Sequence, residues 1–165
     1  MGQPRKRTDR KVSAEPHIPD KLRELLESFD GVTGREDRMA LLASYADRFT
    51  PVPPAVAVRP YPEANRIAFC ESEAYVWGVP RQDGTMKFYF AVENPSGVSA
   101  KALGAILDRT LSGAPLEEVA EVTPEIVTRL FRQNISMGKG MGLSSLVERV
   151  RVLAEKATHS KQSTP

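Results

Sequence analysis

Apolar residues recur at two different periods along the chain, and the change of period marks out its elements. Leu22, Leu25, Leu26 and Phe29 repeat at helical spacing, with Pro19 near the first turn and Gly31 just past the last. That spacing predicts a helix that buries one face. A second helix is expected next, where Thr33 and Glu36 have capping-box spacing and Met39, Leu42, Ala46 and Phe49 supply the apolar stripe. Pro51, Pro53, Pro54, Pro60 and Pro62 then forbid regular helix and predict an extended loop. From Ala74 to Val79 the residues are rich in β-branched and aromatic types, and Asp83-Gly84 has the form of a hairpin turn. Beyond it Met86, Phe88, Phe90 and Val92 alternate with Lys87, Tyr89 and Ala91. Two strands alone are marginal, so a third strand around Arg66 to Phe69, or a helical cover, is required. The remainder returns to helical spacing: Leu103, Ile106, Leu107 and Leu111 up to Gly113, then Ile126, Val127, Leu130 and Phe131 behind a Thr123-Pro124 cap. The last stripe is Leu143, Leu146, Val147, Val150 and Leu153, entered through Gly138-Lys139-Gly140-Met141-Gly142. Helices packed on a small antiparallel sheet make an α+β domain.

Composition adds the class. With 165 residues, 41% hydrophobic and 27% charged, the chain suits one soluble domain with a core of its own. No apolar run approaches bilayer length, and the positive start has no apolar stretch behind it of the kind a secretory signal carries. The net charge of +2 is unevenly distributed. Arg5, Lys6, Arg7, Arg10 and Lys11 against Asp9 and Glu15 give residues 1–18 a balance of +3, which leaves −1 for the rest. That composition predicts a disordered basic tail over 1–18, an ordered domain over 19–157 and a loose polar end over 158–165. A basic arm can touch nucleic acid, but with no aromatic residue in it this is the weakest functional reading. Cys70 is the only cysteine, which excludes an internal disulfide framework and fits a reducing compartment, here taken as the cytoplasm.

The chemistry narrows by elimination. The two histidines, His17 and His159, both fall in the expected tails, where neither can serve as the rigid base that a Cys–His or Ser–His hydrolase needs. One cysteine and two tail histidines do not make a zinc site. Three glycines around Lys139 could form an anion nest, but they follow a predicted helix rather than a strand, so a flexible helix entry is the stronger reading. Lys139 could still stand near a negatively charged sulfur. Cys70 remains. Free cysteines are most often small buried hydrophobes, yet Glu71, Ser72 and Glu73 suit a surface. In an extended segment Cys70 and Ser72 would share one side, and Glu71 and Glu73 the other. The two acids would oppose a thiolate, whereas Lys139 or Arg66 would favour one.

At these residues the chain resembles the SufE family of sulfur-acceptor proteins. Asn65-Arg66-Ile67-Ala68-Phe69-Cys70-Glu71-Ser72-Glu73-Ala74-Tyr75 is similar, without a gap, to the family segment N-R-[VI]-x-G-C-Q-S-Q-V-W. Residues 101–113 (KALGAILDRTLSG) resemble its K-G-L-x-A-[LI]-L-x-x-x-x-S-G helix, and 135–150 its final L-S-P-S-R-x-x-G-L element. In this chain Phe69 stands at the glycine, Glu71 and Glu73 at the two glutamines, Tyr75 at the tryptophan and Lys139 at the arginine. The resemblance implies an α+β fold shared with IscU-type scaffolds. It implies that Cys70 accepts a persulfide sulfur from a PLP-dependent, SufS-like cysteine desulfurase and passes it to a SufBCD-like iron–sulfur scaffold. Arg66, Glu71, Ser72 and Lys139 would support that exchange or meet the partner. The protein itself would carry no cofactor, PLP staying in the desulfurase, and would activate that enzyme rather than act alone. No membrane partner is expected, and self-association as a homodimer is left open. The alternative is a module that docks on a desulfurase or scaffold without carrying sulfur.

Overall fold

The computed structural model describes residues 16–163. The expected basic tail therefore lies almost wholly outside the described residues. Among the described residues, six α-helices flank one two-stranded sheet. The order is α1 (Asp20–Asp30), α2 (Arg35–Asp47), β1 (Ala74–Pro80), β2 (Met86–Val92), α3 (Val98–Leu111), α4 (Leu116–Val119), α5 (Glu125–Phe131) and α6 (Met137–Gln162). The fold is α+β, as the alternation of periods predicts.

The strands pair antiparallel from Ala74 opposite Val92 to Pro80 opposite Met86. Ala74, Val76, Met86, Phe88 and Phe90 point into the main core, where α3 lies on β2 and α6 on β1. This helical cover supplies what two strands lack. The third strand expected near Arg66 reduces to one antiparallel bridge, Arg66 to Tyr75, with a parallel bridge from Pro51 to Phe90 at the other edge. The proline-rich segment can do no more, since each proline lacks an N–H for the ladder. It straps the outer face of the sheet instead. There Val52, Tyr75 and Ala91 form a second small core, with Tyr61 5.2 Å from Tyr75 and 5.1 Å from Trp77 between ring centres. The β2 edge is closed toward α3 by Ser112, whose Oγ accepts from the Phe88 N–H at 3.0 Å and donates to Asp108 at 2.7 Å.

The stripes of α1, α3 and α5 are buried as predicted. The apolar stripe of α2 and its end holds at Leu42, Ala46 and Phe49, which pack on the core, and fails at one position. Met39 is exposed, and the buried face carries Arg38 beside Leu42. The Arg38 guanidinium donates to the carbonyls of Phe29, Val32 (2.8 Å), Arg129 (3.2 Å) and Leu130 (2.9 Å). These are the C-terminal carbonyls of α1 and α5 and their flanks, groups that no intrahelical N–H can satisfy. One fork of five donors meets four of them.

Other sequence expectations also change. Gly34 precedes α2 and Pro124 precedes α5, and neither helix start has a side-chain cap, so Thr33 and Thr123 do not cap. Helix α4 is too short to show a period in the sequence. The glycines at 138, 140 and 142 lie inside α6 rather than in a loop before it, and Ser136 caps that helix by accepting from the Lys139 N–H at 3.3 Å. At its other end α6 continues to Gln162, so residues 158–162 are helical where composition suggested a loose end.

Replacing Arg38 by alanine leaves four carbonyls without this donor and should cost about 3 kcal/mol or more. Arg38→Lys should recover only part, since an ammonium lacks the planar fork. Urea unfolding checks both. The Asp30 carboxyl is held below its ordinary range, chiefly by its bond to Arg129. The α1–α5 tie is therefore intact above the ordinary carboxylate range and lost as pH falls through the depressed value. Asp30→Asn should reduce the loss of stability between neutral and acid pH, read from melting temperatures across that range.

Candidate functional site

Cys70 sits in the loop that joins the proline-rich strap to β1. This loop is anchored at both sides of the thiol. The Ile67 N–H donates to the Ala74 carbonyl at 2.8 Å, and Ile67 is buried. Beyond the thiol, Glu73 N–H closes a turn on the Cys70 carbonyl at 3.2 Å. Asn94 and Glu93 N–H groups hold the Ser72 and Glu73 carbonyls, each at 3.1 Å. The loop thus continues the β1–β2 pairing past the end of the sheet, which fixes where the cysteine stands.

The third anchor is α6. A Cβ built on Gly142 would lie 2.8 Å from the Phe69 carbonyl oxygen and 2.9 Å from the Cys70 Cα. No other residue lets the loop backbone rest this closely on the helix. Phe69 (φ +58°) and Glu73 (φ +50°) adopt the left-handed conformation on either side of the thiol. For an aromatic residue this costs about 1 kcal/mol or more. These two turns break the strict alternation expected of an extended segment. Cys70, Glu71 and Ser72 line one cavity together instead of dividing between two sides.

That cavity, about 120 Å³, is bordered by Ser72, Asn94, Ser96, Ser99 and Lys139 around the half-buried thiol. Lys139 and Gly142 are three residues apart on α6 and so share a face. The geometry therefore brings Lys139 to the thiol cavity, which the sequence left open. Among the described residues its ammonium has no ion pair, while its N–H engages Ser136. Arg66 lies on the other side, lining an open concavity with Cys70 and Glu71, and makes a long contact with Glu63 at 3.5 Å. Glu71 Oε1 is 4.0 Å from the position of a Cβ on Gly138, close to the α6 N-terminus, where the helix dipole favours a carboxylate. Of the five residues singled out in the sequence, Cys70, Glu71, Ser72 and Lys139 meet at the small cavity, while Arg66 borders Cys70 and Glu71 from the open concavity beside it. Sequence reasoning missed Asn94 and Ser99, which arrive from the β2–α3 connection and from α3, and it missed Gly142 as the contact point. A mid-helix glycine in an otherwise apolar stripe was the available signal for the last.

A half-buried thiol with an unpaired ammonium and several hydroxyl and amide groups beside it, and no histidine near, suits nucleophilic attack followed by storage of a small anionic group. It does not suit general-base hydrolysis.

Comparison with known proteins bears on the same segment. The family model described as "SufE: Fe-S metabolism associated domain" matches residues 23–154. "SufE-like protein 1, chloroplastic/mitochondrial" of Arabidopsis thaliana is 27% identical over 143 residues, 86% of this chain and 36% of that protein. The chain thus spans about a third of the length of this curated relative. The solution structure of a hypothetical protein from Thermus thermophilus superposes with a TM-score of 0.67 at 26% identity, over 86% of this chain and 98% of the other.

Gly142→Ala should push the Cys70 loop off α6. The expected outcome is faster alkylation of Cys70 by iodoacetamide, with a loss of about 1–3 kcal/mol from overpacking, partly offset by the helix preference of alanine. Unchanged alkylation would show that the loop does not depend on this contact.

Proposed function

The chain belongs to the SufE family, whose model is one of iron–sulfur metabolism, and from that premise we propose that Cys70 accepts a single sulfur atom from a cysteine desulfurase and hands it on. The observation that carries this reading is the placement of the lone cysteine at a loop tip beside a small polar cavity and an unpaired lysine. The Cys70 thiolate attacks the outer sulfur of the donor persulfide. A new S–S bond forms at Sγ, the donor S–S bond breaks, and the donor cysteine leaves as thiolate, taking up the proton released by Cys70. The transferred sulfur keeps its oxidation state, and the oxidation of Cys70 Sγ from thiolate to persulfide is matched by reduction of the donor cysteine sulfur, so no external electron carrier is involved. PLP chemistry belongs to the donor; Cys70, Lys139 and the cavity supply acceptance and shelter.

Shelter matters because an exposed persulfide is lost to stray thiols and oxidants. The cavity borders the thiol on the protein side, and Lys139 offers a positive charge to the terminal sulfur. Delivery to an iron–sulfur scaffold of the SufBCD type would follow by the reverse geometry, with the left-handed residues Phe69 and Glu73 as the places where the loop turns outward. The lone cysteine suits this exchange in a reducing compartment such as the cytoplasm, while the curated relative's name places that protein in chloroplast and mitochondrion.

One observation favours a second reading, in which the protein docks on a desulfurase without carrying sulfur. Cys70 packs against the main core as a partly buried residue, the usual state of an inert cysteine.

Mass spectrometry after incubation with a SufS-type desulfurase, PLP and cysteine separates the two. Acceptance predicts one added sulfur on the intact chain, mapped to Cys70 and absent from Cys70→Ser, with that variant losing stimulation of desulfurase turnover. Docking alone predicts no added mass and full stimulation by Cys70→Ser.

A further inference from the structure

Seven large apolar side chains are exposed among the described residues. Three of them, Phe69 (73% exposed), Met137 (87%) and Met141 (52%), line one open concavity of about 600 Å³. Phe69 and Met141 also border Cys70 itself. The other four are scattered singly, which is ordinary for a protein surface. A cluster of three is not, because contiguous exposed apolar area marks places that another molecule covers.

Phe69 is the sharpest case. It is exposed, aromatic and left-handed in φ at once. Each of these is unfavourable in the isolated protein, and strained residues of this kind gather at functional sites. Met137 and Met141 lie one turn apart on the same face of α6, and unbranched methionine adapts its shape to what it meets. The border of the patch carries Arg132 and Lys139, neither in an ion pair among the described residues.

We propose that Phe69, flanked by Met137 and Met141, is an apolar anchor that seats in an acid-bordered recess beside the persulfide of the sulfur-donating protein, so that the residue at position 69 determines which donor is accepted. The inference rests on the reading of Cys70 as sulfur acceptor and names the contact that brings the two sulfurs together. The thiol chemistry decides what covers the patch. Cys70 is half-buried, so a donor sulfur can come within bonding distance only if the donor surface closes over its immediate neighbours, and these are the exposed apolar residues. The incoming group is an anionic persulfide, which the unpaired cations favour and which would draw a donor surface of negative potential toward this face.

The test compares Phe69→Asn with Phe69→Leu in the full chain against a SufS-type desulfurase. Asparagine tolerates the left-handed conformation but removes the ring; leucine keeps apolar bulk. The expected result is a rise of about tenfold or more in the chain concentration giving half-maximal stimulation for Phe69→Asn, with near recovery in Phe69→Leu and melting temperatures no lower than that of the wild type. A Met137→Gln, Met141→Gln double variant should show a smaller rise in the same direction. At saturating Phe69→Asn, Cys70 should still gain one sulfur. Wild-type half-saturation in Phe69→Asn together with normal sulfur loading overturns the anchor while leaving the acceptor reading intact. Absence of sulfur on wild-type Cys70 removes the acceptor reading and the anchor with it. Concentration-dependent self-association of the wild type that Phe69→Asn abolishes would assign the patch to a second copy of the chain, against the proposal.

Discussion

The site depends on one contact in which no side chain intervenes. Gly142 lets the backbone at Phe69 and Cys70 rest on helix α6, at a separation any Cβ would violate. Once the loop is held there, three consequences follow from the covalent chain alone. The thiol is half-buried, because helix lies under it. Lys139, one turn earlier on the same helix face, reaches the same cavity. Phe69, forced into a left-handed turn, directs its ring to solvent. A shift of the loop by one side chain's thickness would dissolve all three.

The sheet that holds this loop is small. Two strands give little stability by themselves, and the cover of α3 and α6 on one face and the proline strap on the other supplies the rest. The Cys70 loop then borrows order from both strands: Ser72 and Glu73 are bonded to the end of β2, and Ile67 to the start of β1. The thiol is anchored on each side yet lies outside any ladder. Such a segment can open locally without unfolding the sheet, as the proposed acceptance of sulfur at Cys70 would require.

Arg38 solves a different problem. Helices α1 and α5 end close together, and their last carbonyls converge in a region the core covers. A buried guanidinium satisfies them where an apolar residue could not. Asp30 and Arg129 add a second, exposed tie between the same helices. The layer of α1 and α5, with α5 against α6, is thus fixed by polar groups as well as by the apolar stripes.

Sequence by itself determined the class of the fold and singled out Cys70 as the candidate acceptor. The stripes of α1, α3 and α5, the alternation in β2 and the Asp83-Gly84 turn are local, since period and turn chemistry act over neighbouring residues. The lone cysteine and the eleven-residue segment around it are equally local, and that segment carried the family resemblance. What the chain could not show were contacts between residues far apart in it. Arg38 looks like a surface residue until helices α1 and α5 end beside it, and the glycines of α6 look like a flexible entry until the Cys70 loop is seen to need the space at Gly142. Phe69 shows its exposure only once the Cys70 loop is seen turned on α6. Tertiary structure decided these because burial and close approach are properties of two segments meeting, and neither segment encodes the meeting alone.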